Sequence, residues 1–195
     1  ACLAESSWPR FLDGERKEVV GFTDSYQNGY HLQSYALNIP ENVFHSPWWH
    51  HYWSCYPGWG GMKIAIRDGE IGLSQACLKH GIRLKPLHPV SRLRGQLASG
   101  ELMQKLEAFC SAKAAELIVE TLLTTSTSAI TFFSPTHYWA IPLLLDGHPF
   151  IKRYLLESNE EMCLDPLLVA GNKAELINPD ELVDYLRPPI IGFAN

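Results

Sequence analysis

Arg67-Asp68-Gly69-Glu70-Ile71-Gly72-Leu73-Ser74-Gln75-Ala76-Cys77-Leu78-Lys79-His80-Gly81-Ile82-Arg83-Leu84 is the stretch from which the fold is read. Ile71, Ser74 and Leu78 recur at helical spacing, and Leu73 and Cys77 lie one step over, so an apolar helical stripe runs through it. Asp68 stands where an N-cap acceptor belongs. Glu70 falls in the expected first turn, where a carboxylate suits the helix dipole. Gly81 is placed as the C′ glycine that ends a helix. Ile82 to Leu87 then resumes as a strand, giving the unit acidic loop, helix, glycine stop, strand.

Working outward toward the N-terminus, Val19-Val20-Gly21-Phe22-Thr23 reads as a short buried strand that ends at Asp24-Ser25. His31 to Ile39 reads as a second strand in the same sheet, with Leu32, Tyr35, Leu37 and Ile39 as apolar members and Pro40 as its stop. Glu41 to Tyr56 holds a helix restarted at Pro47, which suits a first helical turn. Pro57 to Gly61 is a glycine-rich loop. Toward the C-terminus, Ser99 to Leu123 is a second long helix with Leu102, Leu106, Phe109, Ala114 and Leu117 on its core face. Thr124 to Ser128 is a polar break, and Ile130 to Phe133 is a short strand. Ser134-Pro135-Thr136-His137 opens a helix to Leu145 that Pro142 should bend. Pro149 to Ser158 is expected to be helical, and Asn178-Pro179 to open a last helix. Strands interleaved with helices predict an α/β domain.

The 195 residues suffice for one well-buried domain, and we expect a single one over 1–195. Apolar residues make up 46% and charged residues 19%, with a net charge of −5. The low charged fraction leaves room for a buried contact with another domain or subunit. No basic tract is present, which argues against nucleic acid as a partner. No apolar run reaches the ~18–20 residues of a membrane span. The five cysteines, Cys2, Cys55, Cys77, Cys110 and Cys163, are scattered, as expected of reduced thiols rather than a disulfide framework or zinc knuckle. In His45-Ser46-Pro47-Trp48-Trp49-His50-His51-Tyr52-Trp53, the adjacent His50 and His51 point to different helix faces and no carboxylate completes a metal set. An aromatic core helix is the default reading there, with a carbohydrate platform as the alternative.

Three sets of motifs, in order, resemble the rhamnan synthesis F family of bacterial polysaccharide glycosyltransferases. The first is Gly21-Phe22-Thr23-Asp24-Ser25-Tyr26 with Tyr30-His31-Leu32-Gln33-Ser34-Tyr35. The second is Glu70-Ile71-Gly72-Leu73-Ser74. The third is Ser134-Pro135-Thr136-His137-Tyr138-Trp139 with Pro149-Phe150-Ile151-Lys152-Arg153-Tyr154-Leu155-Leu156. The resemblance covers about 19–159 and leaves 160–195 as a C-terminal helical extension. It implies a GT-A-like open sheet with flanking helices. It also implies transfer of a sugar, rhamnose among the candidates, from a nucleotide-sugar to a glycan acceptor in cell-surface polysaccharide or O-antigen assembly. The expected location is cytoplasmic, peripheral at the inner face of the membrane, beside an upstream domain or another polysaccharide-synthesis subunit. Enzymes of this fold usually hold Mg²⁺ or Mn²⁺ on the donor diphosphate through an Asp-x-Asp motif. This chain has no such motif, so the nucleotide-binding first half is expected to precede Ala1. The alternative reading is a non-catalytic acceptor-binding or scaffolding module.

Sugar transfer needs a base for the acceptor hydroxyl and positive charge for the leaving diphosphate. Glu70 is the first candidate base and Asp68 the second, against a bare dipole or cap role. Asp24, at a strand end where ligands collect, is a candidate against an Asx-turn. Lys152 and Arg153 are phosphate-binding candidates against a solvated helix face. His137 is a candidate ligand for metal or phosphate against a hydrogen-bonded structural residue. His31 and Gln33 are candidates for reading sugar hydroxyls, one of the two being expected to point inward by alternation. Asp24, Glu70 and His137 are expected to approach one concave site.

Overall fold

Eight consecutive residues of β1, Glu18–Ser25, are all buried, which makes this strand the centre of the molecule. The computed structural model describes residues 8–13, 15, 17–58, 60–109, 112, 115, 116, 118–120, 123 and 134–150. Among them, β1 pairs antiparallel with β2 (His31–Leu32) and β3 (Leu37–Asn38), and parallel with β4 (Arg83–His88). The result is an open mixed four-stranded sheet in an α/β arrangement. The register sets Thr23 beside His88, so β1 runs two residues past the end of β4. A strand covered on both faces needs apolar residues on both. Val19 packs with Leu32, Val43, Trp49, Leu73, Cys77 and Ile82 on one side, while Val20 and Phe22 pack with Phe11 and Leu87 on the other. Phe11 and Phe22 stack with ring centroids 4.6 Å apart.

The expected second strand is two short pieces. The chain turns at 34–36 between β2 and β3, because Ser34 is drawn out of the ladder by Glu70. Helix α1 (Trp8–Leu12) was not expected from the sequence, whereas α2 (Glu41–Phe44) and α3 (Pro47–Cys55) follow the expected helix restarted at Pro47. The Ser46 side chain caps the Trp49 N–H, and Pro47 occupies the first turn of α3. α3 is less of a core helix than its aromatics imply. Trp49 is buried, whereas Trp53 and the preceding Phe44 are exposed and Trp48 stacks on His80 at 4.6 Å.

The deciding stretch differs from expectation at its start. A helix begins at α4 (Gly61–Ile64), continues through a π-helical segment (Ala65–Gly72) and runs into α5 (Leu73–Lys79). Asp68 is therefore not an N-cap, and Glu70 is not in a first turn. Tyr52 of α3 supplies the physical reason: its hydroxyl donates to the Asp68 carbonyl and lies over Gly72, so the wide turn is fixed from outside. The stop is as expected: Gly81, at φ +71°, follows His80 and lets the chain enter β4.

Three further differences follow. Val90–Ala98 is a helix, α6, that the pattern did not suggest; it follows Pro89, and Gly95 and two arginines dilute its stripe. It is joined by Ser99–Gly100 to α7 (Glu101–Phe109), where Leu102 and Leu106 are fully buried as expected. Next, the break before Leu145 falls at Trp139, between α8 (Pro135–Tyr138) and α9 (Ala140–Leu145), and not at Pro142. Pro142 lies in the first turn of α9, where its missing N–H leaves no helical bond unmade. Finally, Phe150 makes an extended bridge rather than a helical turn. Trp139, Ile141 and Leu143 join Val90, Leu93, Leu102 and Leu106 in a second core cluster beside the sheet. The expected elements at 130–133, 151–158 and beyond 178 lie outside the described residues, as do Ala114 and Leu117.

Candidate functional site

The carboxyl end of β1 collects most of the candidates. Asp24 is 2% exposed and its Oδ1 accepts the Val90 N–H at 2.8 Å, so it caps α6 from 66 residues away. Burial pushes the Asp24 carboxyl above the usual carboxylate range, against the lowering pull of the Val90 N–H and the charge of His31 and Arg94. The Asx-turn reading is set aside by this long-range bond.

His31, opposite Ser25 in the register, is buried. Its Nδ1 lies 2.8 Å from the Gly29 carbonyl, which accepts the ring N–H. That bond places the other ring nitrogen, Nε2, toward Glu70, 3.9 Å from Oε2. Glu70 is 21% exposed at its side chain. Its Oε1 accepts from the Ser34 N–H at 3.0 Å and the Ser34 hydroxyl at 2.8 Å. One carboxylate oxygen is thus clamped, and the other faces His31 at the edge of solvent. Ser74, from the same motif, accepts the Leu32 N–H at 3.1 Å and fixes β2 against α5.

Gln33 also points inward. His31 and Gln33 are both buried, as is Leu32 between them, which corrects the expectation that one of the two would turn away; Gln33 lies just past β2 and is drawn in by its side-chain bonds. Their partners differ, however. Gln33 Oε1 accepts from Thr23 at 2.8 Å, and its Nε2 donates to Ser134 at 2.9 Å. Gln33 therefore ties β1 to the start of α8 rather than facing Glu70. His137 is in α8, whose backbone packs on β1; its side chain is outside the described set. Lys152 and Arg153 lie outside the described residues. Asp68 does not join the cluster's bonds. It forms a two-pronged pair with the exposed Arg67, at 2.6 and 2.7 Å, and this bond lowers its pKa.

Sequence reasoning missed a second network at the ends of β1 and β4. The Tyr35 hydroxyl meets Thr23 at 2.8 Å and His148 Nε2 at 2.6 Å. His148 Nδ1 is 2.8 Å from the Phe150 carbonyl, and its pKa is pushed down to about 4 by burial and then by His88. His88 Nδ1 donates to Asp146 at 2.8 Å, and Arg92 reaches the same carboxylate. Burial raises the Asp146 pKa, but the hydrogen bonds from His88 and Arg92 and their charges bring it below the usual value. The only sequence signal here was the isolated buried-type histidines. Arg94 was missed as well: its Nε and Nη2 are buried without a hydrogen-bond partner.

Among the described residues, no three His, Cys, Asp or Glu side chains converge as a metal set. Among the same residues, Cys55 and Cys77 are free thiols, and no helix is long and apolar enough to cross a membrane. Comparison of the chain with family models, with curated proteins and with solved structures finds no match.

Proposed function

We propose that this chain carries the acceptor-side chemistry of a glycosyltransferase with a GT-A-like sheet, in bacterial cell-surface polysaccharide assembly. Glu70 is the general base that takes the proton of the attacking sugar hydroxyl. The observation that carries the reading is the state of its carboxylate. Ser34 fixes Oε1 with two hydrogen bonds, while Oε2 stays at the solvent edge facing His31. A base must be held in one orientation and still be reached by substrate. Asp24 is oriented too, but it is buried and caps α6, so its role is to position. Asp68 is engaged with Arg67. His31, held by Gly29, is a positioning residue for the Glu70 oxygen.

The test is sugar transfer by the full-length protein from a panel of nucleotide-sugars to a glycan acceptor. Glu70→Gln should lower turnover by about 10²–10⁴-fold, the scale of a lost general base, with donor affinity little changed. Gln keeps an acceptor for Ser34, so the turn at 34–36 should survive. Turnover near wild type in that variant would remove Glu70 from the chemistry.

A further inference from the structure

Arg92 and Arg94 lie two residues apart on α6; each has a buried Nε without a hydrogen-bond partner, but they differ at the rest of the guanidinium. Arg92 is anchored by the Leu87 carbonyl at 2.9 Å and by Asp146. Arg94 has no such anchor. Its Nε and Nη2 are both shielded from solvent, and neither has a hydrogen-bond partner. A guanidinium carries five donors and cannot give up its proton, so two orphaned, desolvated donors are costly. Native proteins rarely leave such a group unless something else binds it.

Where the group points is set by the helix. Arg94 is one turn beyond Val90, and helical side chains lean toward the N-terminus of their helix. Val90 is the residue whose N–H Asp24 caps. The Arg94 side chain is therefore directed along the face that meets the end of β1. Its charge acts on both Asp24 and Tyr26. Yet no carboxylate lies within ion-pair distance of it among the described residues, and the Asp24 Oδ1 is already engaged by Val90. Tyr26 is 36% exposed and its ring lies against Tyr30, with centroids 5.1 Å apart. Tyr26, one ring of this partly open aromatic pair, thus lies within the electrostatic reach of a cation that has no ion-pair partner among the described residues. Burial raises the Asp24 pKa, against the lowering pull of the Val90 N–H and of the His31 and Arg94 charges.

We propose that Arg94, bordered by Tyr26 and Tyr30 and backed by Asp24, is a subsite for a phosphoryl oxyanion at the carboxyl end of β1. A planar fork of donors matches phosphoryl oxygens in pairs, and the tyrosine rings offer a face for an attached ring. The identity of the anion rests on the sugar-transfer reading, in which a diphosphate leaves as the acceptor hydroxyl attacks. His31 Nε2 lies 3.9 Å from Glu70, and the His31 charge also acts on Asp24. Two molecules carry the required group: a nucleotide-sugar donor and a glycan acceptor on a lipid diphosphate.

Titration calorimetry of the full-length protein with inorganic pyrophosphate is the direct test. Wild type should bind, and Arg94→Met should weaken binding at least about tenfold. Arg94→Lys, which keeps the charge and loses the fork, should fall between. Lys63→Gln, an exposed change of the same charge on α4, should bind like wild type. Because Arg94→Met removes two shielded donors that have no partner, its thermal midpoint should equal or exceed that of wild type. Wild type that fails to bind pyrophosphate, or Arg94→Met that binds as tightly as wild type, would overturn the subsite; so would a lowered midpoint with affinity intact, which marks a structural arginine. Displacement of pyrophosphate by a nucleoside-diphosphate sugar assigns the site to the donor, and displacement by vesicles bearing a polyisoprenyl diphosphate assigns it to the acceptor. Arg94-dependent pyrophosphate binding without sugar transfer would keep the subsite and fell the glycosyltransferase reading. Undiminished sugar transfer by Arg94→Met would do the reverse.

Discussion

His148 shows how one buried residue turns pH into stability. Its ring lies between the Tyr35 hydroxyl and the Phe150 carbonyl, and the charges of His88 and Asp146 act on it. Burial, and then the charge of His88, lower its pKa to about 4 from 6.5. The unfolded chain therefore binds a proton between those values that the folded chain refuses. Its contribution is intact above about pH 6.5 and is lost as pH falls toward 4, by on the order of 3 kcal/mol in all. The thermal midpoint of wild type should drop across that window. His148→Gln, which has no titrating ring but can still accept from Tyr35, should flatten the drop. Equal slopes in the two proteins would assign the acid sensitivity elsewhere. Asp146 acts in the same direction at lower pH. Its carboxyl stays ionised below its unfolded value, so its contribution is present above ~3.9 and lost as pH falls through the folded value.

At the scale of elements, the π-helical segment depends on what α3 lays against it. A Cβ on Gly72 would come within 2.9 Å of the Tyr52 hydroxyl and 3.1 Å of the Arg67 carbonyl. Gly72→Ala should therefore destabilise by about 1–2 kcal/mol, despite the better helix propensity of alanine. Urea unfolding of this variant checks it, and a midpoint above wild type would show that propensity outweighs the close approach. The helix from Gly61 to Lys79 was half legible. Its second half carries an apolar stripe and a glycine stop, both local signals. Its first half holds Gly60, Gly61, Gly69 and Gly72, which read as loop and turn because glycine is unfavourable in helices. Only Tyr52 of α3 and Tyr56 just after it, arriving from earlier in the chain, make that glycine content compatible with a helix.

For the whole molecule, Phe22 is the point where the layers meet. It is fully buried, stacks on Phe11, and touches the rings of Tyr35, His88, His148 and Phe150. Phe22→Ala should cost about 3–5 kcal/mol, a large part of the ~5–15 kcal/mol typical of a domain. Chemical denaturation monitored by tryptophan fluorescence would measure it, and a cost below about 1 kcal/mol would mean the surrounding rings collapse into the space. The sequence by itself determined β1, the Ser46-Pro47 helix start, the Gly81 stop and β4, because each rests on residues adjacent in the chain. It also marked Asp24, His31 and Glu70 as chemistry-bearing. Tertiary structure alone decided what those residues do. Asp24 is a cap because α6 ends at it from 66 residues away, and the Ser34 turn exists because Glu70 accepts its bonds across 36 residues. Arg94 had no sequence signal at all. Folding shields its Nε and Nη2 from water without supplying a hydrogen-bond partner, a fact of burial that no local pattern contains.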